Sequence, residues 1–104
     1  MISSKRNPLV RKLRSLSKKV GREEHSSLLL EGSHLLEEAL KTDCFPVEVI
    51  ATAKWFEDHQ EVIEKLTSRS LLTLVTQNVL EASLSTVTPD GVAAIFPISG
   101  LPKS

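Results

Sequence analysis

Tyrosine is absent from this 104-residue sequence, tryptophan occurs once, and Cys44 is the single cysteine. A lone thiol excludes an internal disulfide and fits a reducing compartment, so the chain reads as cytoplasmic. No apolar run approaches the ~18 residues of a membrane span, and the basic N-terminus lacks the apolar stretch of a secretory signal. Aromatic residues make up 4% of the chain, which gives little support to stacking on splayed single-stranded bases. Gly21, Gly32, Gly91 and Gly100 are isolated from one another, so no glycine-rich phosphate loop exists. Neither a G-x-S-x-G elbow nor an H-E-x-x-H helix occurs. His25, His34, His59 and Cys44 lack metal-ligand spacing. Cys44 precedes Phe45-Pro46 and has no adjacent histidine, which suits a half-buried structural thiol better than a nucleophile. Glu57, Asp58, Glu61 and Glu64 read as a solvated helix face, because paired catalytic carboxylates need opposed environments that such a run does not supply. No constellation of residues supports an enzyme acting by itself.

What is present is a globular composition, 40% hydrophobic and 25% charged, at a length that buries roughly two thirds of the unfolded surface in one core. The formal net charge is zero, yet the charges are divided along the chain. Residues 1–22 contain eight cations (Lys5, Arg6, Arg11, Lys12, Arg14, Lys18, Lys19 and Arg22) and no acid. All thirteen acids follow, against five cations. Such asymmetry points to a polyanionic partner, or to a basic segment that binds something acidic.

Met1 to Arg6 lacks periodicity and is expected to be a flexible basic tail. Asn7-Pro8 is a good helix start, with Asn capping free N–H groups and Pro at the first helical position. Leu9, Leu13, Leu16 and Val20 recur at helical spacing, and Gly21 is the expected terminator. Arg11, Arg14, Lys18 and Arg22 fall on the opposite face of that helix, with Lys12 and Lys19 on one flank. A short apolar strand is expected over 26–30, turning at Gly32 into a helix capped near Ser33, with Leu35, Leu36, Ala39 and Leu40 inward and Glu37, Glu38 and Lys41 in water. Asp43 to Pro46 breaks that helix. Strands are expected over 47–51, 71–75 and 92–96. One helix is expected over 54–67, with Phe56, Val62, Ile63 and Leu66 inward and Trp55 packed at its start. A short helix over 77–84 follows a candidate Thr76 cap, and Thr88-Pro89-Asp90-Gly91 has turn chemistry. The order, a helix and then alternating strands and helices, indicates an α/β layered sandwich.

The cationic helix is the costly feature. Arg14–Lys18 and Lys18–Arg22 are like-charge pairs at i,i+4, each destabilising an isolated helix by roughly 0.2–0.5 kcal/mol. Arg11 and Lys12 lie in its first turns, where the helix dipole disfavours cations. A phosphate backbone reverses the sign of these terms, and folded or duplex nucleic acid, held by phosphates and shape, fits the low aromatic content. The plainer reading is a solubilising face lying near the acidic remainder of the domain. Glu31-Gly32-Ser33-His34 is the second candidate, since Gly permits close backbone approach and N–H groups at a helix start accept phosphate oxygens. A tight strand-to-helix turn explains the same residues.

Asn7-Pro8-Leu9-Val10-Arg11, Arg22, Leu29-Leu30-Glu31-Gly32, Glu38-Ala39-Leu40 and Thr88-Pro89-Asp90-Gly91-Val92-Ala93-Ala94, taken in this order and spacing, resemble the N-terminal substrate-binding domain of SpoU-type (TrmH-like) RNA 2′-O-ribose methyltransferases. The resemblance spans roughly Ser4 to Phe96. Arg11 stands where Lys is common, Leu28 to Leu30 replace a stretch often containing Phe, and Asp90 stands where Gln is usual. The resemblance implies a small three-layer α/β/α sandwich with a mixed four-stranded sheet, similar to the kink-turn-binding ribosomal proteins and preceded here by the basic helix. It implies a flexible tail at 1–6, an RNA substrate-binding domain at 7–96 and the start of a linker at 97–104. Structured rRNA or tRNA is the implied partner, gripped by Lys5, Arg6, Asn7, Arg11, Lys12, Arg14, Lys18, Lys19 and Arg22 and by the Gly32-Ser33-His34 turn. Methyl transfer and S-adenosylmethionine then belong to a separate C-terminal knotted domain whose motifs this sequence lacks. The fragment itself is expected to hold no cofactor or metal, to be non-catalytic and to be monomeric, whereas the full-length enzyme is a homodimer. The competing reading is a protein-interaction module whose cationic helix docks on an acidic protein surface.

Overall fold

Val92, Ala94 and Phe96 face one side of their strand and Ala93 and Ile95 the other, and all five are buried. A strand buried on both faces needs a layer of helices on each, and this is the architecture of the computed structural model, which describes residues 1–66, 70–84 and 91–98. Its elements run α1 (Pro8–Ser15), α2 (Lys19–His25), β1 (Ser27–Glu31), α3 (Ser33–Lys41), β2 (Glu48–Ala51), α4 (Ala53–Asp58), α5 (Gln60–Leu66), β3 (Leu71–Leu74), α6 (Gln77–Ser83) and β4 (Val92–Pro97). The sheet order is β1-β4-β2-β3; β4 is antiparallel to both neighbours, and β2 and β3 are parallel. The expected mixed four-stranded sheet between helical layers is therefore present. The turn over 88–90 and the segment 99–104 lie outside the described residues.

The two faces of the sheet carry separate cores. On one, Val10, Leu13 and Leu16 meet Val79, Leu80 and Leu84 over Ile50, Ala93 and Ile95, which packs α1 beside α6. On the other, Leu36, Trp55, Val62 and Leu66 cover Val49, Ala51, Val92, Ala94 and Phe96. Cys44, expected to be half-buried, is buried in this second core.

Two expected helices are broken. The helix beginning at Pro8 ends at Ser15, and the chain starts again at Lys19. At the interruption Lys18 N–H turns to the Ser15 carbonyl at 3.0 Å, and Ser17 Oγ takes the Arg14 carbonyl at 2.7 Å that a continuing helix would bond through Lys18. Gly21 therefore does not terminate the first helix. It lies inside α2, buried, where a Cβ would run into the Ser15 carbonyl. Val20 is 75% exposed rather than part of the core, and Val10 takes a core position in its place. The helix expected over 54–67 divides at His59, whose Nδ1 lies 3.0 Å from the Trp55 carbonyl that a continuing helix would bond through the backbone.

Smaller differences follow from packing. Leu35 faces outward at 47% exposure while Leu36 is buried, and Glu37 is partly covered. Residues 1–6, expected as a tail, pair with the sheet at one point. Ile2 bridges Val75, its N–H donating to Leu74 O and its carbonyl accepting from Thr76 N–H.

Candidate nucleic-acid interface

Asn7 Oδ1 accepts from Leu9 N–H at 2.9 Å and Pro8 opens α1, so the cap read from the sequence is the one that forms. The shortness of α1 changes its electrostatics. Lys12 and Arg14 occupy its last turn, where the dipole favours cations, and Arg22 and His25 occupy the last turn of α2. The expected costs of Lys12 near a helix start and of Arg14–Lys18 as a pair on one helix belong to a continuous helix that does not form, whereas Arg11 stays in the first turn of α1.

The break also rearranges the cations. Arg11, Arg14 and Lys18 line one groove of about 850 Å³, between the α1–α2 corner and the end of α6, with Glu24 and Glu81 on its walls. Arg22 plays another part, because its guanidinium Nη1 donates to the Leu16 carbonyl at 3.3 Å and ties α2 back onto the end of α1. Lys5, Arg6, Lys18 and Lys19 are exposed, and Lys12 is half-buried. Lys5 and Arg6 stand just before α1, after the Ile2 pairing that brings the chain to the end of β3.

The turn at 31–34 combines two roles. Gly32 has φ 107° and ψ 152°, a conformation suited to glycine, and serves as the residue before α3 without a side-chain cap. Its N–H donates to Val92 O at 3.1 Å, so that donor is already used within the sheet end. Ser33 does not cap α3 as expected; its Oγ accepts from Trp55 Nε1 at 2.8 Å. His34 is exposed beside it. Because β1, β2 and β3 point the same way, the 31–34 turn lies at the same end of the sheet as Thr52 and Thr76. Both threonines cap the helices that follow, Thr52 Oγ1 accepting from Trp55 N–H and Thr76 Oγ1 from Val79 N–H. The candidate residues thus divide into the α1–α2 surface and the 31–34 turn.

The acids lie mainly elsewhere. Glu37, Glu38, Glu57, Asp58, Glu61 and Glu64 are carried by α3, α4 and α5, the helices on the opposite face of the sheet from α1. Glu23 and Glu24 on α2 and Glu81 on α6 accompany the cations, and Lys41, Lys54 and Lys65 accompany these acids, so the asymmetry along the sequence becomes a difference in balance between the two faces. Sequence reasoning missed one further feature at the strand ends: His59 stacks on Trp55 with ring centroids 4.4 Å apart and planes 10° from parallel. The signal was the i,i+4 spacing of the two rings. Among the described residues no group of three His, Cys, Asp or Glu side chains is placed to hold a metal, and no helix is long and apolar enough to cross a membrane.

Residues 7–94 match the family model described as the MRM3-like substrate binding domain. A Synechocystis protein described as an uncharacterized tRNA/rRNA methyltransferase is 42% identical over 100 residues, covering 89% of this chain and 34% of its own length. This chain therefore spans about a third of the curated relative that it matches. Among solved structures, an rRNA methyltransferase from Sinorhizobium meliloti is 26% identical with a TM-score of 0.75, over 91% of this chain and 35% of that one. Its AdoMet-bound form gives 26% identity and a TM-score of 0.76, over 92% and 35%. An RNA 2′-O ribose methyltransferase at 22% identity and a TM-score of 0.77, over 93% and 37%, shares the fold.

Proposed function

This chain belongs to the MRM3-like substrate binding domain family, and from that membership we propose that it is the RNA-recognition domain of an S-adenosylmethionine-dependent tRNA/rRNA 2′-O-ribose methyltransferase. The observation that carries the reading is the uneven balance of charge across the sheet: from α1 through α2 six cations stand against Glu23 and Glu24, whereas α3, α4 and α5 carry six acids against Lys41, Lys54 and Lys65. A phosphate backbone is drawn to the first and repelled by the second, so a neutral protein favours one side for RNA, with the strand ends lying between the two. Arg11, Arg14 and Lys18 contact phosphates in the groove they line. Lys5, Arg6, Lys12 and Lys19 extend that surface, and His34 offers a contact at the strand ends. Asn7, Arg22, Gly32 and Ser33 hold the backbone and side chains that present it.

The domain's contribution to methylation is proximity: it fixes the RNA so that one ribose hydroxyl stands before a catalytic domain, which converts an encounter into an intramolecular step. S-adenosylmethionine supplies the methyl group. The groove does not suit that cofactor, because its three cations, Arg11, Arg14 and Lys18, outnumber Glu24 and Glu81 and disfavour a sulfonium, and the glycines are isolated from one another. The cofactor is assigned to a catalytic domain outside these residues.

Fluorescence anisotropy with a structured rRNA hairpin across a salt series tests the reading. Affinity falls steeply with log salt, and Arg14→Glu/Lys18→Glu makes the slope shallower by about two, roughly one per lost phosphate contact. Absence of binding at low salt, or identical slopes, refutes it. Equal affinity for heparin together with a stoichiometric complex with an acidic protein transfers the surface to protein docking.

A further inference from the structure

Between the start of α4 and the start of α6, a cavity of about 290 Å³ is lined by Thr52, Lys54, Trp55, Asp58, His59 and Gln77. Its wall is a stacked pair of rings. Trp55 is 3% exposed and held at both ends, its backbone N–H donating to Thr52 Oγ1 and its indole Nε1 to Ser33 Oγ. Phe56 meets it edge-on at 5.8 Å. The indole plane is therefore fixed, and the imidazole of His59 lies flat against it. His59 itself is only half-buried. With one ring face covered by Trp55, its accessible surface belongs to the opposite face and the outer edge.

The edge is also defined. A carbonyl oxygen only accepts, so the 3.0 Å contact between His59 Nδ1 and Trp55 O places the proton on Nδ1 and leaves Nε2 of the neutral ring as an acceptor. Around this rigid aromatic plane stand an ammonium at Lys54, a carboxylate at Asp58 and a carboxamide at Gln77. A flat heterocycle with donors and acceptors on its rim, joined to a phosphate, matches that set: the ring stacks, Gln77 and Asp58 meet the rim, and Lys54 meets the phosphate. The basic N-terminal segment is close by, since the N–H of Thr76, which precedes Gln77, donates to the Ile2 carbonyl.

We propose that the Trp55–His59 stack is the platform for a single unpaired nucleobase of the bound RNA. This rests on the RNA-binding reading above and adds to it a base-contacting subsite separate from the phosphate-gripping α1–α2 surface. Stacking on an aromatic ring is tolerant of base identity, so the subsite recognises an unpaired base and discriminates by its rim through Gln77 and Asp58.

The test uses a labelled RNA stem–loop with an adenine-rich loop, together with versions in which each loop nucleotide in turn is abasic. Wild-type protein loses about tenfold in affinity for one of the abasic versions, and His59→Ala loses about as much on the intact RNA and nothing further on that abasic one. His59→Phe, which keeps a ring face, retains near-wild-type affinity; this variant guards against misreading a folding defect in His59→Ala. Trp55, the single tryptophan, reports occupancy directly through its fluorescence. Binding that is indifferent to every abasic position and to His59→Ala overturns the subsite and leaves the α1–α2 surface intact. No RNA binding at all overturns both readings. AMP alone perturbing Trp55 as tightly as the stem–loop overturns the RNA base in favour of a free nucleotide.

Discussion

Gly21→Ala sets two physical effects of opposite sign against each other. Gly21 is an interior position of α2, and replacing Gly by Ala inside a helix ordinarily stabilises by about 1 kcal/mol. The added Cβ, however, would overlap the Ser15 carbonyl, with the Ser15 carbonyl carbon 2.5 Å away and Ser15 Cβ 3.0 Å away. The obstacle is backbone, so no rotamer change relieves it. Instead α2 must retreat from α1 by on the order of 1 Å, which forfeits a quarter to a half of the dispersion energy at the contact. The retreat also stretches the Arg22–Leu16 hydrogen bond, already 3.3 Å long. Overpacking typically costs about 1–3 kcal/mol; an overlap with backbone this close belongs in the upper part of that range, about 2–3 kcal/mol, and subtracting the helix gain leaves a net loss of about 1–2 kcal/mol. For a domain of this size, that lowers the melting temperature by roughly 5–15 °C. Thermal unfolding followed by circular dichroism and by Trp55 fluorescence reads the shift. A Gly21→Ala protein that melts at or above the parent temperature refutes the close approach of α2 to α1.

At Gly32 the same substitution fails for another reason. A Cβ there meets nothing within 4 Å, but φ 107° is a conformation that side chains rarely adopt, so Gly32→Ala costs about 1–3 kcal/mol in a denaturant titration; an unchanged midpoint refutes this. Ser33→Ala removes the acceptor of the buried Trp55 indole N–H and costs about 1–3 kcal/mol of stability, with a blue- or red-shifted Trp55 emission as its signature. Unchanged stability in Ser33→Ala shows that the bond contributes nothing.

Much of the layering was legible because each strand is a short apolar run bounded by turn residues. Val92 to Phe96 alternates between two cores, and only a strand covered on both faces accommodates five consecutive apolar side chains. Asn7 and Thr76 were legible as caps because a side-chain oxygen before an apolar helix has a definite N–H to meet. The two helix breaks were not. Leu9, Leu13, Leu16 and Val20 keep helical spacing across the first, where Ser17 Oγ occupies the Arg14 carbonyl and Lys18 N–H turns to that of Ser15. At the second, His59 replaces a backbone hydrogen bond with one from its ring. Periodicity records which residues prefer burial, whereas these interruptions depend on single polar atoms competing for a carbonyl. The aromatic platform was missed for the same reason: counting aromatics does not reveal a histidine stacked on the lone tryptophan.

The first break also alters the grounds on which the cations point to RNA. In one long helix they are a local cost that a polyanion would relieve. In two short helices Lys12, Arg14 and Arg22 occupy C-terminal turns, where each gains about 0.3–1 kcal/mol from the dipole when exposed at low ionic strength. Local energetics therefore explains their presence without a partner, and the weight passes to their placement. Acids accompany the cations, Glu23 and Glu24 on α2 and Glu81 on α6, yet a surplus of cations remains on the α1–α2 side and a surplus of acids on α3, α4 and α5. A packed sheet stands between the two surpluses and keeps them beyond contact distance of each other. With zero net charge, the molecule has no long-range monopole to attract RNA, so the field that remains is directional. On the proposed reading, that field orients an approaching phosphate backbone onto the α1–α2 side, and the strand ends with His34, Lys54 and His59 are where unpaired nucleotides would then be met.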